Sequence, residues 1–495
     1  MHPTHPSALD TKDAAQPRLN VLVVVLTFAG IAVAFTQSMV FPIVPLLPGL
    51  LSAGSADTAW AVTATLLSGA VATPVMGRLA DMYGKRRMVL LGIVVLAAGS
   101  VLCALSESLA PFLVGRTLQG LAAPVVPLGI SIMRDLLPAE RVPGATSLMS
   151  GSLGVGGAVG LPISALIVDN FDWHVLFWAA AAFGVVAGVF VVLLVPESTV
   201  RAGGRFDLTG ALGLAVGLVC MLLAVSKGED WGWGSGNTLG LFGGAAVVLT
   251  WWGWFQLRSS QPLVNLRTAA RPQVLFTNLV ALAIGFSLFV MSLVLPQLLQ
   301  TPESTGYGLG KSLVVVGLVM APSGLVMLAT TPLSSRLTRE KGPKTTLMVG
   351  SVITGAGYLL AMAMMSEVWQ LIVASCVVAV GVSFALGALP GLIMGAVPVS
   401  ETAAGNSLNA LMRSIGNTVS SAAAGVILAH MTVAFGDAVL PSENGLRAVL
   451  AIGVGSAALA LAVACFIPRQ KPADLLEEVS APTEKVARRP VADAE

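Results

Sequence analysis

Positively charged residues occupy every second gap between long apolar runs, and that alternation constrains the fold more than any other feature of the sequence. Runs close to the length of about 20 residues that crosses a bilayer as a helix occur fourteen times. They lie at approximately 20–47, 58–80, 88–105, 109–134, 143–168, 174–195, 207–226, 238–257, 273–300, 312–335, 345–365, 369–397, 403–430 and 446–467. With the N-terminus on the cytoplasmic side, 22 of the 27 Lys and Arg residues fall in inner segments. Lys227, Lys311 and Arg447 fall in outer loops, and Arg116 and Arg413 fall inside runs. Cytoplasmic loops concentrate Lys and Arg, and one missed span would invert every later loop. The expectation is an all-α integral membrane protein of 14 transmembrane helices with both termini cytoplasmic.

Composition agrees with a cell-membrane location. Soluble domains carry about 25% charged residues. This chain has 11%, with 55% hydrophobic residues, too little polar surface to cover a fold in water. A net charge of +2 gives no reason to invoke nucleic acid. The cysteines Cys103, Cys220, Cys376 and Cys465 lie in apolar runs without metal-ligand spacing and are read as packing residues. His2 and His5, on a polar tail without a cleavable signal, do not make a metal site. Trp60, Trp173, Trp178, Trp231, Trp233 and Trp369 fall near the outer boundary and Trp251, Trp252 and Trp254 near the inner one, as in an interfacial aromatic belt.

An internal repeat organises the spans. Thr73-Pro74-Val75-Met76-Gly77-Arg78-Leu79 is answered by Thr331-Pro332-Leu333-Ser334-Ser335-Arg336-Leu337, Gly84 by Gly342 and Arg86 by Lys344, without a gap. The spacing from Pro138 to Ser147-Leu148 returns from Pro398 to Ser407-Leu408. Two related membrane halves point to a transporter built from repeats. The expected organisation is a cytoplasmic tail (1–19), a six-helix bundle (20–195), a linker (196–206), two inserted helices (207–257), a linker (258–272), a second six-helix bundle (273–467) and a disordered cytoplasmic tail (468–495).

These residues also carry a resemblance. Gly77-x-Leu79-x-Asp81-x-x-Gly84-x-Arg86-Arg87 resembles the signature loop of the major facilitator superfamily, and Arg116-x-x-Gln119-Gly120 is similar to its second motif. The fifth span, with Gly151, Gly154, Gly156, Gly157, Gly160 and Pro162, resembles its antiporter motif, although a Leu separates Gly160 from Pro162 and Ser164-Ala165 replace the frequent paired Gly. The fourteen spans resemble the drug:proton antiporter branch. The resemblance implies a secondary active transporter, not an enzyme, that exchanges protons for small amphipathic compounds by alternating access, as a monomer and without a cofactor. The chain has no G-x-x-x-x-G-K loop, so ATP is not expected as the direct driver.

The candidate site residues follow from placement. Lys85, Arg86 and Arg87 are compatible with a plain positive-inside loop, but Asp81 is a lone carboxylate among four cations. It can pair with Arg78, with Gly77 and Gly84 permitting a tight turn. The resemblance implies that it faces the start of the thirteenth span and helps to gate. A mid-membrane arginine is costly, so Arg116, with Gln119 one turn on, is expected to face a polar cavity; near the outer interface it would instead snorkel. The resemblance gives it a role in proton coupling. Asn409, Arg413 and Asn417 form a stripe at i, i+4, i+8 that lines the cavity or else packs between helices. Gly156, Gly160 and Pro162 suggest a seal or pivot, with Gly317, Pro322 and Gly324 as the facing surface. Gln37, Asn278 and Gln297 are further cavity candidates.

All 25 acidic residues can be placed outside the apolar runs, and the first span has Gln37 where many relatives of that branch carry an acid. A buried carboxylate is the simplest partner for a cationic drug. Either the solute is neutral or anionic, held by Arg116 and Arg413, or an acid near a membrane end such as Glu107 or Asp135 reaches the cavity. A dedicated metabolite exporter or uptake carrier is the alternative, and a membrane-embedded enzyme or sensor a remote one, since His2, His5, His174 and His430 do not cluster.

Overall fold

The computed structural model describes residues 8–44, 46–435 and 438–468. Residues 1–7 and 469–495, which belong to the two expected tails, lie outside them. Fourteen long helices follow in order: α1 (Ala8–Ser38), α2 (Trp60–Tyr83), α3 (Lys85–Ala104), α4 (Leu109–Leu136), α5 (Val142–Asn170), α6 (His174–Leu194), α7 (Leu208–Trp231), α8 (Gly236–Arg258), α9 (Pro272–Gln300), α10 (Leu313–Lys341), α11 (Pro343–Ala363), α12 (Val368–Met394), α13 (Thr402–His430) and α14 (Glu443–Cys465).

Thirteen of these helices are long and apolar enough to cross a membrane by length and composition. The other is α13, whose 29 residues include Asn406, Asn409, Arg413 and Asn417. Its Asn406 and Asn409 are buried among neighbouring helices, so protein rather than lipid meets its polar face. Two helices are interrupted. Helix α4 breaks between Gly120 and Val125, where Pro124 cannot donate a backbone hydrogen bond, and α10 breaks at Thr330 just before Pro332. Among the described residues, the departure from helix is a small antiparallel hairpin, β1 (Thr432–Phe435) with β2 (Ala438–Pro441), between α13 and α14.

Buried apolar residues of α9–α14, including Ile284, Leu298, Leu389 and Leu450, form one cluster. Those of α1–α6 form two, around Leu26 and Val125 and around Phe35 and Phe112. A fourth joins Leu218 and Leu222 of α7 to Ala70 of α2 and Leu411 of α13. Helix α8 packs on α7 and leaves Val247 and Leu239 exposed.

The glycine-bounded stretch expected as a turn is mostly helical. Helix α2 runs through Tyr83 and α3 starts at Lys85, so Gly84 by itself reverses the chain. Its φ of 119° is a conformation side chains rarely adopt, and a Cβ there would lie 2.8 Å from Glu197 Oε1.

Candidate functional site

Gly77 brings α2 against α13: a Cβ at this position would sit 2.4 Å from Ser407 Oγ and 3.0 Å from the Ala403 carbonyl. The close approach delivers the buried Asp81 carboxylate to the first turn of α13. There it accepts hydrogen bonds from the Ala403 amide at 3.1 Å and the Ala404 amide at 2.8 Å. The first amides of a helix lack intrahelical acceptors, and the helix dipole favours a negative charge at that end. Asp81 is thus the cap of a helix from the other end of the sequence.

The cation beside Asp81 is Lys85, at 3.9 Å, and not the expected Arg78, which is half-buried and forms no ion pair among the described residues. The turn at Gly84 folds Lys85 inward. Its Nζ lies 2.6 Å from Asp135 Oδ2 and donates to Thr402 Oγ1 at 3.2 Å. Ser198 donates to the same Asp135 oxygen at 2.6 Å. Buried charges persist where such bonds replace lost water. The segment after α6 is pinned over the junction, since the Ala202 amide donates to the Asp81 carbonyl at 2.6 Å. Glu197 accepts from the Arg86 amide at 3.1 Å and lies 3.8 Å from Arg87 Nε, while the Arg86 guanidinium donates to Val192 O in the last turn of α6. Sequence reasoning missed Glu197, read Lys85 as compatible with a plain positive-inside loop, and named Asp135 as an acid reaching the cavity, whereas it meets Lys85 and does not line the cavity. The i, i+4 spacing of Asp81 and Lys85 is visible in the sequence, but nothing local connects either to Asp135.

Arg116 and Gln119 are brought together, but not at a cavity. Arg116 is 1% exposed. Its Nε donates to Ala61 O at 3.1 Å, and its Nη1 donates to Thr36 O at 3.3 Å and to Gln119 Oε1 at 2.6 Å. Gln119 Nε2 in turn donates to Ser100 Oγ at 2.9 Å. The guanidinium therefore ties α1, α2, α3 and α4 into one knot. Thr36 lies in the last turn of α1, where carbonyls lack intrahelical donors. Neither a snorkelling arginine nor one lining an open cavity describes this geometry.

A small cavity lies between α4 and α5 on one side and α12 and α13 on the other. Pro127, Ile130, Ser150, Leu386, Asn409 and Arg413 contribute to its wall, and it holds about 10 Å3, room for about one water molecule. Asn409 Nδ2 donates to Asn278 Oδ1 at 3.1 Å, and Asn406 Nδ2 donates to Ser131 Oγ at 3.3 Å. Among the described residues Arg413 has no ion pair and no side-chain hydrogen bond. Gly285 permits α9 to touch its backbone, with a virtual Cβ 2.2 Å from Arg413 O. Asn278 joins this site through Asn409, whereas Gln37 and Gln297 are half-buried and do not line the cavity.

Helix α5 presents two faces. Gly156 and Gly160 pack on α1, with virtual Cβ atoms 2.5 Å from Ala34 Cβ and 2.0 Å from Ser38 Oγ. They do not form the seam expected of them. The seam with α10 is made by Gly154, Ala158 and Pro162. Gly324 would place a Cβ 2.2 Å from Ala158 Cβ, and Gly317 one 2.8 Å from Pro162. Gly317 and Gly324 face α5, as the sequence suggested.

Comparison with known proteins adds a family. The Major Facilitator Superfamily model matches residues 26–340 and 277–492. The multidrug transporter protein MdtP of Bacillus subtilis (strain 168) is 24% identical over 422 residues, 84% of this chain and 77% of that protein. The tetracenomycin C resistance and export protein of Streptomyces glaucescens is 28% identical over 308 residues, 62% of this chain and 56% of that protein. Among solved structures, the proton:xylose symporter XylE bound to 6-bromo-6-deoxy-D-glucose has a TM-score of 0.65 at 16% identity, over 94% of this chain and 99% of that one. At that identity the likeness is one of fold.

Proposed function

The chain belongs to the major facilitator superfamily, and on that premise we propose that it is a proton-coupled exporter of small amphipathic compounds, working by alternating access in the cell membrane. It is a multi-pass membrane transporter; the direction, the coupling ion and the cycle are the proposal. In this reading α1–α6 and α9–α14 are two bundles that rock against each other, α7 and α8 are inserted between them in sequence, and the end carrying Asp81 faces the cytoplasm. The names of the multidrug relatives support efflux.

The observation that carries the proposal is the capping of α13 by Asp81. It joins one bundle to the other at a single end. Hydrogen bonds to a charged group contribute about 1.5–3 kcal/mol each. Two of them are enough to favour one closed end and few enough to release in every cycle. The close packing of α5 on α10 serves as the pivot. The Asp81 side chain is 0% exposed, which makes it the candidate carrier of the coupling proton. Arg413 with Asn409 shapes the field that the solute meets, while Arg116 with Gln119 braces α1–α4 around it.

The test uses purified protein in liposomes that enclose a pH dye. Lipophilic cations, neutral drugs and organic anions are added in turn under an imposed proton gradient. The proposal expects one class to trigger proton movement, and Asp81→Asn to slow it. Failure of every class to move protons would remove the proton-coupled reading.

A further inference from the structure

The two arginines inside the spans are treated very differently by the fold. Arg116 donates to two backbone carbonyls and to Gln119. Arg413, the twelfth residue of a 29-residue helix, donates to nothing among the described residues, yet it lines the cavity between the helix groups. A charge so far along a span is costly unless it is paired.

No acidic residue of the fourteen helices lies near enough to supply the pair. Asp10, Asp13, Asp81, Asp135, Asp169, Glu229, Asp230, Glu340 and Glu443 all fall within two turns of a helix end. Asp81 is already bonded to the amides of Ala403 and Ala404, and Asp135 to Lys85 and Ser198. Among the described residues no acid pairs with Arg413, so its counter-charge is sought outside the chain. The walls beside it combine Asn406 and Asn409 with apolar Val126, Ile130, Leu386 and Leu389. A guanidinium presents a planar fork that matches a carboxylate, and apolar side chains suit the frame to which the carboxylate is attached.

We propose that Arg413 is an anion-binding group, and that the transported compound meets it as an ionised organic acid on an apolar frame. The inference rests on the transport reading and names its substrate class. The present cavity has room for about one water molecule, so the acid enters as the helix groups separate, and Arg413 is exposed to it at that step.

Three probes of one shape test the idea: 1-naphthoate, 1-naphthylmethanol and 1-naphthylmethylammonium. Binding to the purified full-length protein is measured first, in chloride and in gluconate buffers, and flux in liposomes second. Naphthoate is expected to bind the native protein. Arg413→Gln is expected to weaken that binding about tenfold or more, as loss of one partner of a desolvated charge pair does, and Arg413→Lys to weaken it less. Naphthylmethanol binding should be unchanged in both. Because Arg413 has no partner to lose, the ligand-free Arg413→Gln protein should melt no earlier than the native one.

Native protein that does not bind naphthoate, or binds it equally well after Arg413→Gln, would overturn the proposal. Arg413-dependent binding of chloride without naphthoate would overturn it too, leaving a site for inorganic anions only. The outcomes separate from those of the transport reading. Arg413-dependent naphthoate binding without flux of any probe would sustain this site and remove transport. Flux of the alcohol or the ammonium without naphthoate binding would do the reverse.

Discussion

The two copies of the repeat keep different parts of the same junction. In the first, Gly84 at φ 119° separates α2 from α3; in the second, Gly342 at φ 84° separates α10 from α11. Arg86 donates to Val192 O at the end of α6, and Lys344 donates to Cys465 O and Ile467 O at the end of α14, at 2.8 and 2.6 Å. Each cation thus caps the last helix of its own half, where the dipole favours positive charge. The carboxylate is not shared. Asp81 is buried on α13, whereas its counterpart Arg339 is exposed, and Lys85 is answered by Pro343. What both copies retain holds a bundle together; what the first copy has by itself reaches across to the other bundle. The difference separates architecture from gating on physical grounds.

Substitutions can break that comparison in order of size. Lys85→Met should be the most damaging, because it leaves Asp135 and Asp81 buried without their cation, and breaking such a pair costs about 3–5 kcal/mol. Expression and melting temperature should fall, and adding Asp135→Leu should restore part of both; no recovery in the double variant would mean that the pair is not the cause. Asp81→Asn comes next. It should keep expression while export in vesicles falls, with loss of roughly 1.5–3 kcal/mol of charge-assisted bonding to α13; undiminished export would detach this residue from gating.

Arg86→Ala and Lys344→Ala should resemble each other. Each uncaps one helix end, worth about 0.3–1 kcal/mol, so melting should shift slightly and by similar amounts while transport persists. A large transport defect in one and not the other would undo the symmetry claimed for these cations. Arg339→Ala should be silent in both assays, and Arg339→Asp should not rescue Asp81→Asn, since its side chain points to solvent.

The spans, the repeat and the polar stripe of α13 were legible because each is a local pattern. Apolar length, spacing and i, i+4 periodicity survive without a partner in view. Even α13, which does not qualify as a span by length and composition, was read as a run at 403–430, and the alternation of charge supported that count. The neighbour of Asp81 came from a family resemblance rather than from the residues. The burial of Lys85 was not legible, because it depends on Asp135, Ser198 and Thr402 arriving from three distant segments. Nor were the partners of Arg116, two of which are backbone carbonyls and carry no mark in a sequence. The glycines of α5 showed that something packs closely, but not that Gly156 and Gly160 face α1 while Gly154 faces α10.

The central claim is that Asp81 holds the start of α13. Spin labels at Tyr83→Cys and Val399→Cys, both exposed and on either side of that contact, would report it directly after replacement of the four native cysteines. Pulsed electron–electron resonance on the protein in liposomes should give one short, narrow distance with Asp81 present, and an added longer population after Asp81→Asn but not after Arg339→Ala. Superimposable distributions with and without the Asp81 carboxylate would contradict the account.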